Sequence, residues 1–108
     1  YFHARLDKLK QAGVKDVIID PGFGFAKTIK QSFELLQNLQ RFRILEKPLL
    51  VGLSRKSMIY RTLETTPEHA LNGTSVVNTI ALLKGASILR VHDVRAAREA
   101  ITLTSQLA

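Results

Sequence analysis

The sequence predicts an α/β domain on a parallel sheet, a fragment corresponding to the C-terminal half of a TIM (β/α)8 barrel. Three apolar segments carry that expectation: Val17-Ile18-Ile19, Leu49-Leu50-Val51-Gly52-Leu53 and Ile88-Leu89-Arg90-Val91-His92. Each has strand composition, and helical patterns separate them. The middle segment is apolar without alternation, as expected of a strand covered on both faces. The resulting order, α-β-α-β-α-α-β-α, implies right-handed crossovers and parallel strands. An open doubly wound sheet is the alternative. It would want G-x-G-x-x-G after its first strand, and Gly22-Phe23-Gly24-Phe25-Ala26-Lys27 fails that pattern at its last position.

The elements follow in order. Phe2, Leu6 and Leu9 make one helical stripe, and Gly13 stops it. The first strand ends at Asp20, and Pro21, Gly22 and Gly24 cannot continue it. A charged strand end opening into a Gly/aromatic loop suggests a binding loop on a rigid scaffold; the alternative is a strand stop with two core phenylalanines. Thr28-Ile29-Lys30-Gln31 matches a capping box. The helix it starts should run to about Phe42, burying Leu35, Leu36, Leu39 and Phe42. Pro48 closes the linker to the second strand. Met58 to Leu63 reads as a third helix, and Thr66-Pro67-Glu68 as another helix start. Val76, Val77, Ile80 and Leu83 mark a buried helix stopped by Gly85. In the third strand, alternation puts Arg90 and His92 on one face. Asp93 can cap the last helix, with Val94, Ala97, Ile101 and Leu107 along its apolar stripe.

Composition bounds the function. The chain has 108 residues and no repeat or low-complexity linker, so one domain is expected over 1–108. It opens on Tyr1, not Met, and a fragment of something longer is expected. The lack of cysteine excludes disulfides, thiolate nucleophiles and cysteine-held metals, and fits a cytoplasmic setting. No apolar run could span a bilayer, so no membrane partner is expected. The net charge of +7 favours anionic partners. The basic residues are dispersed without an aromatic platform, so nucleic acid is not expected.

In a barrel the three strand ends gather at one rim. The first offers the carboxylate of Asp20, which could accept two N–H donors of an aminopyrimidine-like ring, pair with Lys56 or cap a turn. The second offers Ser54, Arg55, Lys56 and Ser57. A cation at a helix start calls for an answering anion, so Lys56 reads as an anion or carbonyl binder. Arg55 and Lys56 cannot share a direction, so one is expected to be structural. The third offers Arg90, able to clamp phosphate or stack on a flat ring, and His92, able to donate to phosphate oxygens. His3 and His69 have no assigned role. Asn72-Gly73-Thr74 fits a glycosylation acceptor but is discounted, as nothing indicates secretion. No metal site is expected.

Three runs, Asp20-Pro21-Gly22-Phe23-Gly24-Phe25-Ala26-Lys27, Val51-Gly52-Leu53-Ser54-Arg55-Lys56-Ser57 and Arg90-Val91-His92-Asp93, together resemble the dihydropteroate synthases of the folate pathway. The resemblance covers essentially the whole chain, including Leu71-Asn72-Gly73-Thr74 and Gly85-Ala86. It implies a TIM barrel that joins 6-hydroxymethyl-7,8-dihydropterin pyrophosphate to p-aminobenzoate. It implies Asp20 on the pterin ring nitrogens, Gly24 against the pterin by its backbone, Phe25 walling the p-aminobenzoate pocket and Ser57 on its carboxylate. Lys56, Arg90 and His92 would be the catalytic set, with Arg90 and His92 on phosphate. It also implies sulfonamide as an inhibitor class and magnesium held by a residue outside this chain. A half-barrel leaves two sheet edges and an apolar interior open, so self-association as a homodimer is expected. Ala26 stands where the family usually has glycine. The missing first strands predict that the isolated chain has no synthase activity. A pterin-binding methyltransferase-type barrel and a non-enzymatic phosphate or nucleic-acid module are the alternatives.

Overall fold

The computed structural model describes residues 2–14, 16–24 and 26–107. Three β segments lie side by side in sequence order, all parallel. Ile19 forms a single bridge to Leu49, with Ile19 N–H donating to the Pro48 carbonyl at 2.9 Å and Leu50 N–H to the Ile19 carbonyl at 2.8 Å. Strand β1 (Leu50–Val51) pairs with β2 (Ile88–Leu89) in the register Leu50↔Ile88 and Val51↔Leu89.

All three segments are shorter than expected, for local reasons. Before Ile19 the ladder would need an N–H from position 48, which proline lacks. The expected strand over 17–19 is therefore one bridge. At the other end, Arg90 N–H still donates to the Val51 carbonyl at 3.0 Å. Beyond it, His92 N–H turns to the Ser54 side chain, so the strand expected to reach His92 ends at Leu89.

Helix α1 (Phe2–Gln11) rests on the following layer through Phe2, whose ring meets Phe42 edge-on at 5.5 Å. Helix α2 (Ile29–Gln37) starts at the capping box: Thr28 accepts from Gln31 N–H at 3.1 Å, and the Gln31 side chain accepts from Thr28 N–H at 2.9 Å. The helix does not run to Phe42. Asn38 Nδ2 donates to the Glu34 carbonyl at 2.8 Å and ends it, and Leu39–Leu45 continues as a 3-10 segment. Leu36 and Leu39 are buried, while Leu35 and Phe42 are half-buried against the same core.

Helix α3 is a single turn, Ser57–Tyr60, and Pro67–His69 is a 3-10 turn separate from α4 (Leu71–Leu83). The face expected to be buried on α4 is only partly so: Val77 is buried, but Val76 and Leu83 are each 51% exposed. This helix is apolar on two adjoining stripes. The inner one runs through Gly73, Thr74, Val77, Asn78 and Ala81. Gly73 permits the close approach of α3, since a Cβ there would stand 2.9 Å from Leu63 Cδ1 and closer still to Ile59. Helix α5 (Val94–Ser105) packs on α4 through Ala97 and Ala100. Val94, Ile101 and Leu107 face outward, which corrects the expected stripe. Small residues sit at the contact because they let the helices close up; the larger apolar ones lie outside it. Among the described residues no helix is long and apolar enough to cross a membrane.

Candidate active site at the strand ends

Asp20, Gly22, Phe23, Gly24, Lys56, Ser57 and Arg90 line one cavity of about 530 Å³. The three strand ends therefore meet, though they are distant in sequence. Asp20 is held from two sides. Its Oδ1 accepts from Gly22 N–H and its Oδ2 from Arg90 Nη1, both at 3.0 Å. Its ion-pair partner is thus Arg90 and not Lys56. Arg90 reaches it by lying across Gly52, where a Cβ would come within 2.8 Å of the guanidinium carbon. Gly52 is part of the site, and the only sequence signal for it was a glycine inside an apolar strand.

Phe23 is 1% exposed, so one of the two loop phenylalanines is a core residue; Phe25 lies outside the described residues. The Phe23 carbonyl accepts from Lys56 Nζ, and the Gly22 carbonyl from Lys27 Nζ at 3.0 Å. Gly24 has φ +75, and a Cβ there would press on Lys56 Cδ at 3.3 Å, so the loop passes the lysine only as glycine. Burial holds the Lys56 ammonium below the ordinary lysine range, helped by the Arg90 charge and opposed by Asp20.

Arg55 is the structural member of the Arg55-Lys56 pair. Its backbone takes φ 55, and its N–H donates to the buried Thr74 hydroxyl at 3.0 Å. Its guanidinium grips both oxygens of Asp93 at 3.0 Å and the Pro67 carbonyl at 2.7 Å. Asp93 therefore makes no side-chain cap on α5, contrary to expectation. The Arg55 hydrogen bonds hold its carboxyl below the usual carboxylate range. A depressed acid stabilises the fold above its unfolded value, near pH 4, and that contribution is lost as pH falls through the lower folded value. Acid should therefore destabilise the parent chain more than Asp93→Asn, when thermal melts at pH 7 and about pH 3 are compared; equal acid losses would refute the clamp.

His92 does not line the cavity. Its Nδ1 lies 2.7 Å from Ser54 Oγ, at the neighbouring strand end. His3 pairs with Asp7 on exposed α1, and His69 with Thr66; neither lines the cavity. A cleft of about 540 Å³ between α1 and the Ile44–Lys47 stretch gathers none of the strand-end groups. Among the described residues no group of three or more histidines and acids could hold a metal.

A carboxylate set among cations at the ends of parallel strands is the arrangement of an α/β-barrel enzyme, whose site lies at that rim. The chain belongs to the pterin binding enzyme family, whose model matches residues 1–92. It is 42% identical to the dihydropteroate synthase of Escherichia coli K12 over 103 residues, covering 94% of this chain and 36% of that protein. It is 47% identical to that of Clostridium beijerinckii over 88 residues, covering 79% of this chain and 33% of that protein. The chain thus spans about a third of the length of the curated relatives it matches. Among solved structures, a dihydropteroate synthase from Coxiella burnetii in complex with pteroic acid superposes with TM-score 0.93 at 40% identity, covering 98% of this chain and 40% of that one. The Thermus thermophilus enzyme in complex with 6HMPPP superposes with TM-score 0.89 at 40% identity, covering 97% of this chain and 43% of that one. The three parallel segments are therefore a fragment of a TIM barrel, as expected from the sequence.

Proposed function

We propose that this chain carries the substrate-holding strand ends of a dihydropteroate synthase. That enzyme of the folate pathway condenses 6-hydroxymethyl-7,8-dihydropterin pyrophosphate with p-aminobenzoate, giving 7,8-dihydropteroate and pyrophosphate. One observation carries the reading: Asp20, Lys56 and Arg90, from three separate β segments, face one cavity. Asp20 accepts the N–H donors of the pterin ring, and Gly24 lets its loop approach the ring. Lys56 lies between pterin and p-aminobenzoate, Ser57 binds the p-aminobenzoate carboxylate and Phe25 walls that pocket. Arg90 and His92 receive the pyrophosphate.

The chemistry suits these types. The bond from the methylene carbon to the pyrophosphate oxygen breaks, and its electron pair leaves with the pyrophosphate. The electron-rich ring delocalises the cation that develops. The aromatic amine supplies its lone pair to the carbon and gives up a proton. Arg90 and His92 stabilise the departing charge; Asp20 and Lys56 position the electrophile. Magnesium belongs to the reaction by resemblance, but the described residues do not fit it. Asp20 is the single carboxylate lining the cavity, and the charges of Lys56 and Arg90 beside it would repel a divalent cation. No step is assigned to the ion.

Binding is the readout suited to a chain of this length. Thermal shift with a non-hydrolysable pterin pyrophosphate analogue, a sulfonamide and duplex DNA tests the reading. Stabilisation by the first two at concentrations above their Kd supports it. A shift with DNA alone would overturn it in favour of a nucleic-acid module. Gly52→Ala should weaken the pterin pyrophosphate analogue about tenfold by calorimetry, the scale of one charged hydrogen bond, because Arg90 must leave Asp20. An unchanged affinity would mean that Arg90 takes no part.

A second copy of the chain is the assigned protein partner, and the cytoplasm, in keeping with the absence of cysteine, the assigned setting. Exposed Ile18, at 55%, and Leu103, at 70%, support self-association. Light scattering at micromolar concentration should give a dimer mass; a monomer mass would remove the partner.

A further inference from the structure

Ser54 and His92 make two contacts. Ser54 Oγ accepts from the His92 backbone N–H at 3.2 Å and lies 2.7 Å from His92 Nδ1. Ser54 is 7% exposed, and its hydroxyl has no other partner among the described residues. A serine hydroxyl carries one proton and two lone pairs. One lone pair is spent on the backbone N–H. Among the described residues the only acceptor in reach of the remaining proton is Nδ1. We infer that Ser54 is a positioning residue that fixes neutral His92 in the tautomer with its proton on Nε2. The ring then presents an N–H at its outer nitrogen. If the ring is charged, Nδ1–H donates to the second lone pair of Ser54, and Nε2 still carries a proton. His92 is therefore a donor at Nε2 in both charge states, which a ring free to change tautomer is not. His92 is exposed, so this N–H is open to an incoming anion. That consequence rests on the assignment of His92 to pyrophosphate; the tautomer itself does not.

The test uses the chain labelled with 15N-histidine and a long-range 1H–15N spectrum near pH 9, above the ordinary imidazole range. His92 is assigned by the signal missing from His92→Gln. The expected pattern is a fully protonated Nε2 and a bare Nδ1. In Ser54→Ala the two nitrogens should move toward the mixed pattern of an unconstrained imidazole. Inorganic pyrophosphate, titrated into the same samples, should bind Ser54→Ala about fivefold more weakly, the scale of one hydrogen bond. A protonated Nδ1 or a mixed pattern in the parent chain overturns the inference, and this needs no variant to fold. So does a Ser54→Ala spectrum identical to the parent's. If pyrophosphate moves no His92 signal while the tautomer pattern is as expected, the pyrophosphate role falls and the tautomer assignment stands.

Discussion

Asp20→Ala should weaken binding of a pterin pyrophosphate analogue by at least about 100-fold, with the melting temperature nearly unchanged. The two halves of that result have different causes. Asp20 is the carboxylate of the cavity, and the ring it would hold offers two N–H donors. Each hydrogen bond to a charged acceptor is worth about 1.5–3 kcal/mol, and both go at once. Stability is another matter. The Asp20 and Arg90 side chains are 38% and 58% exposed, so their pair is a surface salt bridge worth about 0–1 kcal/mol. Asp20→Asn sharpens the test. It keeps the size of the side chain and one acceptor oxygen, but turns an NH2 toward the ring's own donors, so it should behave nearly as badly as alanine. Calorimetric titration checks both variants. An affinity within threefold of the parent for Asp20→Ala would end the assignment of the ring to this carboxylate.

What the sequence made legible, and what it hid, divides by the range of the interaction. Asp20, Lys56, Ser57 and Arg90 could be brought together from letters alone, because parallel strands send all their C-terminal ends to one side. The capping box at Thr28 and Gln31 was readable because both partners lie within one helical turn. The misses come from competition at long range. Asp93 has the composition of a helix cap, yet its oxygens are taken by Arg55, 38 residues earlier. His92 shares a strand face with Arg90 on paper, but Ser54 draws its backbone out of the ladder first. On α4, two apolar stripes adjoin, and nothing local says which one faces the sheet; the glycine that decides it does so through Ile59 and Leu63. Asn38 acts at short range: its side chain closes α2 on the Glu34 carbonyl.

Phe23→Ala should do the reverse of Asp20→Ala and strike the scaffold first. Phe23 is among the largest fully buried side chains and belongs to the same core as Leu36, Val51, Leu53 and Met58. Truncating such a residue costs about 3–5 kcal/mol, against a total near 5–15 kcal/mol for a domain. At about 4–8 °C per kcal/mol for a chain of this size, the melting temperature should fall by roughly 12–40 °C. Phe23→Leu, which refills most of the volume, should cost about 1 kcal/mol. A fall under about 5 °C for Phe23→Ala in a circular dichroism melt would mean that the ring is not a core anchor. The two variants stand three residues apart in one loop and should separate cleanly, one losing ligand without losing fold and the other losing fold. The reason lies in how the loop is built. The buried ring fixes the Phe23 backbone, the Phe23 carbonyl holds Lys56 Nζ, and Gly24 lets the lysine pass. A binding loop exposed at its charged end is thus as rigid as the core residue at its centre.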